Sequence, residues 1–142
     1  MSQHSEVLIE GYSIEEILAF PDDQIAPIIF CGRPLVFKIG TAEILGEFRR
    51  TPTRLIIELA QIDGGGEGVL PSLWILTCRY AQQNGIPEVE WIVHAIYCAH
   101  PNLKLRRLLN RLGFTIEDVP GIGEAYHLIV DVNTMGKLLS SN

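Results

Sequence analysis

At 142 residues with 47% hydrophobic content, the chain suits a single domain over residues 1–142, with one full core and no room for a second. A formal charge of −6 sets the global field against polyanions, which are held mainly through Lys and Arg, so no nucleic-acid partner is expected. The three cysteines, Cys31, Cys78 and Cys98, fit neither a disulfide framework nor a Cys-x-x-Cys metal knuckle, and no apolar run reaches membrane-spanning length; reduced thiols in a soluble cytoplasmic protein, with no membrane partner and no metal, are expected.

Residues 6–10 suit a short strand, and residues 13–20 start as a capped helix, with Ser13 as the cap and Glu16 three residues on. Residues 22–30 form a weaker second helix because of Pro27. Residues 34–39 and 43–48 flank Gly40-Thr-Ala as the strands of a hairpin, and Thr51-Pro52 marks a turn. Residues 54–62 are an apolar, β-branched strand that breaks into Asp63-Gly64-Gly65-Gly66-Glu67-Gly68. Residues 69–85 then have helical length and end on an Asn-Gly stop. Its stripes of Trp74, Ile75, Cys78 and Ala81 and of Leu73, Leu76 and Tyr80 imply burial on both sides.

Residues 88–94 are strand-like, and residues 102–112 form an amphipathic helix. Leu105, Leu108, Leu109 and Leu112 share one side of it, with Lys104, Arg106, Arg107 and Arg111 forming a solvated basic side. Gly113-Phe114 closes that helix, and residues 115–119 and 125–132 finish as a strand pair across Pro120-Gly-Ile-Gly. The tail from Lys137 is expected to fray. The edge of the closing strand pair makes a homodimer plausible.

Glycines between a strand and a helix N-terminus let backbone N–H groups converge on an anion, which the helix dipole also favours; a phosphate-bearing ligand follows. The meander of strands before the loop argues against a doubly wound dinucleotide fold. The absence of any lysine from residue 39 to 103 excludes a nucleotide-triphosphate P-loop.

The order β-α-α-β-β-β-α-β-α-β-β, the glycine loop after the fourth strand, and Asn102-x-x-Leu105-x-x-Leu108-Leu109-x-x-x-Gly113-Phe114 together resemble the GCN5-related N-acetyltransferase superfamily. The resemblance implies an α/β (α+β) domain of the acyl-CoA N-acyltransferase-like fold: a mixed, mostly antiparallel sheet with helices on both faces. It also implies acetyl-coenzyme A as cosubstrate, held around Ile62, Gly64, Gly65, Gly66, Glu67, Gly68 and Val69, with Asn102 in the second motif. The implied reaction is direct transfer of an acetyl group to a primary amine, on a small molecule or a peptide. Asp63 stands where the family has glutamine or arginine, and Leu109 where it often has a tyrosine that protonates the leaving thiolate.

Glu58 lies within an apolar strand, where a carboxylate must be paired, exposed on one side, or raised in pKa; a raised pKa would suit a general base for the amine. His94, with Tyr97 and His100, follows the next strand and is the alternative base, since imidazole titrates close to neutrality. The competing reading is a non-catalytic relative that binds a small ligand or a protein through the same cleft.

Overall fold

The computed structural model describes residues 7–39, 42–60, 66–96 and 103–140. Two short strands open it, β1 (Leu8–Ile9) and β2 (Tyr12–Ser13), joined by a turn in which Glu10 and Gly11 both have positive φ, +52° and +88°. That pair of left-handed residues matches the right-handed twist of the flanking strands. Helix α1 (Ile14–Ala19) carries the expected capping box: Ser13 Oγ accepts from the Glu16 amide at 3.1 Å, and Glu16 Oε1 accepts from the Ser13 amide at 2.8 Å. Helix α2 (Asp22–Ile29) forms despite Pro27 near its end.

The central strands follow as β3 (Leu35–Ile39), β4 (Ala42–Arg50) and β5 (Arg54–Ala60). Helix α3 (Gly66–Gln83) crosses over to β6 (Glu88–Val93). Then come α4 (Leu103–Leu112), β7 (Thr115–Val119), β8 (Gly123–Asp131) and α5 (Val132–Ser140). Both long-loop stops act as read from the sequence. Gly85 at φ +67° lets the Ile86 amide reach the Ala81 carbonyl at 2.9 Å, and Gly113 at φ +101° lets the Phe114 amide reach that of Leu109 at 3.0 Å. Helix α5 is an element that the sequence pattern did not reveal; Asp131 caps it by accepting from the Thr134 amide at 2.7 Å.

The eight strands form one sheet in the order β2-β1-β3-β4-β5-β6-β8-β7. Every described pairing is antiparallel except β5 with β6, whose register runs from Arg54 opposite Glu88 to Leu59 opposite Val93. The sheet is therefore mixed and mostly antiparallel, as expected. A parallel pair needs a crossover connection, and α3 supplies it.

Alternation along β5 and β6 decides which side is packed. Leu55, Ile57 and Leu59 with Val89, Trp91 and Val93 lie at most 2% exposed on one side, while Arg54, Glu58, Glu88 and Glu90 point to the other. The apolar side forms one contiguous core with residues from all five helices, among them Ile17, Ile25, Leu73, Leu105 and Met135. Trp91 stacks on Trp74 at 5.3 Å between ring centroids and meets Phe114 edge-on at 6.4 Å. The charged side holds only a small cluster of Ile92, Val119 and Ala125 with Ile56, to which no described helix residue contributes.

Gly46 of β4 sits on the packed side, where an added Cβ would come within 2.7 Å of the Phe37 ring and 2.9 Å of Leu59. Phe37 and Leu59 are 0% and 2% exposed, so neither has room to yield. Gly46→Ala is expected to destabilise the protein by about 1–3 kcal/mol through overpacking, measured by urea unfolding; an unchanged midpoint would contradict the packing described.

Candidate functional site

The site is built where the parallel pair ends. In open sheets, ligands bind beyond the carboxyl ends of parallel strands, where neighbouring connections diverge. Here β5 runs out at Ala60 and β6 at Val93, and the His94 amide still donates to the Leu59 carbonyl at 2.9 Å, which holds the two strand ends side by side. Helix α3 starts only a few residues after β5, so its N-terminus opens at the same end of the sheet.

The two side chains expected to carry chemistry meet there. His94 Nε2 lies 2.7 Å from Glu58 Oε2, and Arg49 Nη2 donates to Glu58 Oε1 at 3.0 Å. The other Arg49 nitrogen lies 3.3 Å from Glu47 Oε2. Glu47 is directly opposite Glu58 across β4 and β5, so the four side chains form a row: Glu47, Arg49, Glu58, His94. The Glu58 and His94 side chains remain 23% and 30% exposed, which leaves the pair open to a solute.

Glu58 thus takes the paired option among those open to a carboxylate in an apolar strand. Burial is the largest influence and pushes its carboxyl up. Hydrogen bonds from His94 and Arg49, with the charges of both, outweigh it and leave the carboxyl below its ordinary value. A raised Glu58, the state that suits a general base acting alone, is therefore not what the structure contains. The ionised carboxylate instead orients the imidazole, much as an acid holds a histidine in a triad.

The glycine stretch divides. The backbone of Gly66, Glu67, Gly68 and Val69 forms the first turn of α3, and its leading N–H groups, those of residues 66–68, precede the first i→i−4 bond and face the N-terminal end. The helix starts three residues earlier than the sequence pattern places it, so these glycines belong to the helix and not to a loop before it. Ile62, Asp63, Gly64, Gly65, Tyr97, His100 and Asn102 lie outside the described residues. Leu109 is 0% exposed in the core, and Cys78 is a core thiol that burial pushes up, in keeping with an inert role.

Two arginines of this region escaped the sequence reading. Arg49 lies beyond residue 48, where the pattern ends the strand, although β4 continues to Arg50. Arg106, read as part of a solvated basic side, is half-buried: its Nε donates to the Ala95 carbonyl at 3.0 Å and its Nη2 to that of Ile96 at 2.8 Å. Lys104, Arg107 and Arg111 are exposed, as expected. The same charged side of the sheet holds a second histidine cluster. His127 Nε2 is 2.7 Å from Glu90 and its Nδ1 is 3.2 Å from Glu117, while Arg54 bridges Glu88 and Glu90. Among the described residues, no cluster has a metal-ligating arrangement.

A parallel pair inside an antiparallel meander, crossed by one helix that starts at the strand ends, settles the architecture. The fold is acyl-CoA N-acyltransferase-like. No family model and no curated protein matches the sequence. Among solved structures, Ard1 from Thermoplasma volcanium is similar at 14% identity and a TM-score of 0.45, with 89% of this chain and 97% of that one covered. A chain of the AtaT–AtaR complex bound to DNA is similar at 14% identity and a TM-score of 0.49, covering 94% and 99%. A chain of the KacTA–DNA complex follows at 17% identity and a TM-score of 0.40, covering 77% and 72%. At these identities and scores the likeness carries no activity across.

One expectation is overturned by these neighbours. Two of the three are complexes that include DNA, so the exclusion of nucleic acid is withdrawn. A formal charge of −6 describes one isolated chain. In an assembly, phosphate contacts can come from the cations of another protein, and the sum over a single chain excludes nothing.

Because the folded Glu58 carboxyl titrates below the unfolded one, its stabilising contribution is fully present above the ordinary carboxylate range and is lost as pH falls through the lowered value. Glu58→Gln removes that dependence. Urea unfolding is expected to show wild type more stable than the variant at neutral pH, with the gap closing as pH falls below the ordinary carboxylate range. A gap that stays constant over that fall would contradict the pairing.

Proposed function

We propose that the protein is an acyl-coenzyme A-dependent N-acyltransferase that moves an acetyl group from acetyl-coenzyme A to a primary amine on a small molecule or a peptide. The observation that carries this reading is the 2.7 Å Glu58–His94 contact near the carboxyl end of the one described parallel strand pair, the same end of the sheet at which α3 begins. Membership of the GCN5-related superfamily, read from the two sequence motifs, is supported by the element order and the placement of the crossover helix.

The first-turn amides of α3 at residues 66–68 suit the diphosphate of the cosubstrate, since a helix start presents unpartnered N–H groups and a positive dipole end. The coenzyme supplies an activated acyl thioester. Amine nitrogen attacks the thioester carbonyl carbon, the N–C bond forms and the C–S bond breaks. The proton lost by the amine passes to the Glu58–His94 pair, with Glu58 ionised and holding the imidazole in orientation. Leu109 is buried and has no proton to give, so the thiolate departs on its own acidity, close to that of a free cysteine, and is protonated from solvent if at all. The free thiols of Cys31 and Cys78 suit a reducing, cytoplasmic setting.

Purified protein incubated with acetyl-coenzyme A and a panel of polyamines, amino sugars and lysine-containing peptides is expected to release coenzyme A thiol only with an accepting amine, with the N-acetyl product visible by mass spectrometry. His94→Gln is expected to lower kcat by about 10²–10⁴-fold with little change in KM for the thioester. No acetylated amine from the wild type, or equal rates from the variant, would overturn the assignment.

A further inference from the structure

Resting on the acyltransferase reading, we infer that Arg106 of α4 is a positioning residue for the Glu58–His94 pair, acting through the backbone that leaves β6. The chain quits the ladder immediately after His94, whose amide makes the last described bond to β5. Beyond it the Ala95 amide turns back to the Val93 carbonyl at 3.1 Å, and among the described residues the Ala95 and Ile96 carbonyls take part in no strand pairing. Ala95 is 2% exposed, so water has little access to its backbone, and an unpaired carbonyl there is costly. Arg106 meets both carbonyls at once, Nε on one and Nη2 on the next.

The fork works because its base is fixed. Leu105 and Leu109, 1% and 0% exposed, anchor α4 in the core, and the Phe114 amide closes its end on Leu109. A planar guanidinium reaching from a rigid helix to two consecutive carbonyls sets the path of residues 95–96. That path sets the height and direction at which His94 emerges toward Glu58. An ammonium has no such planar fork, so lysine at this position keeps the charge without the two-point hold. A shift of about 1 Å in a reacting group can cost up to about a hundredfold in rate, whereas the hydrogen bonds of Arg106 go to residues 95 and 96 and not to the first turn of α3.

The test pairs kinetics with a readout that needs no turnover. In wild-type protein with labelled histidine, the imidazole N–H held against Glu58 is expected as a downfield, slowly exchanging proton signal that Glu58→Gln abolishes. Arg106→Ala is expected to lower kcat about tenfold or more, to leave KM for acetyl-coenzyme A within about twofold, and to broaden or remove the His94 ring signal while that of His127 is unchanged. Arg106→Lys, which keeps a charged donor and so guards against loss of folding, is expected to fall between the two in both measures. A sharp, unshifted His94 signal in a folded Arg106→Lys or Arg106→Ala protein would overturn the inference. Should the wild type show no acyl transfer, the ring signal alone decides the positioning role, and the two failures stay distinguishable.

Discussion

Parallel pairing of β5 with β6 is the constraint from which the rest of the molecule follows. Antiparallel neighbours can be joined by short turns, as β3, β4 and β5 are, but a parallel neighbour requires the chain to travel the length of the sheet again. The helix that makes this return must pack on the apolar side, which explains the near all-round hydrophobicity of α3, from Leu73 and Trp74 to Tyr80 and Ala81. It must also begin where β5 ends. The carboxyl ends of two strands, the open N-terminus of a buried helix and the first residue past β6 are thereby brought together by connectivity alone.

The charged side of the sheet obeys a different balance. Ion pairs as exposed as Arg49–Glu58 contribute about 0.2–1 kcal/mol each, whereas burying one large apolar side chain contributes about 1.5–3 kcal/mol. Stability therefore resides with Trp91, Ile57 and their neighbours, and the row from Glu47 to His94 is free to be arranged for orientation. Two arginines from different elements do the arranging. Arg49, from β4, joins His94 in keeping Glu58 ionised against the push of burial, and Arg106, from α4, ties down the backbone just beyond His94.

Much of this was legible from pattern. The apolar, β-branched strand that starts at Arg54, the Ser13–Glu16 capping box, the glycine stops at Gly85 and Gly113, and the leucine stripe of α4 each act through contacts close in sequence, and each begins or sits where expected. Glu58 and His94 were legible as polar residues in apolar surroundings, though 36 positions apart. What the pattern hid depends on register. Arg49 matters because strand pairing sets Glu47 opposite Glu58 and Arg49 beside them, and nothing local marks β4 as continuing past Phe48. Arg106 reads as one basic residue among four until the fold brings two consecutive carbonyls, those of Ala95 and Ile96, within its reach. Helix α5 lacks a strong signal of its own and draws its order from packing on α3 through Val132 and Met135.

The central claim is that the start of α3 and the Glu58–His94 pair serve one ligand. The most direct measurement is a titration of the labelled wild-type protein with desulfo-coenzyme A or coenzyme A, following the backbone amides of residues 66–69 and the His94 ring in the same spectra. The account predicts saturable shifts in both sets with one shared dissociation constant, and no change at His127. Shifts confined to surface residues away from α3, or no saturation at all, would contradict it.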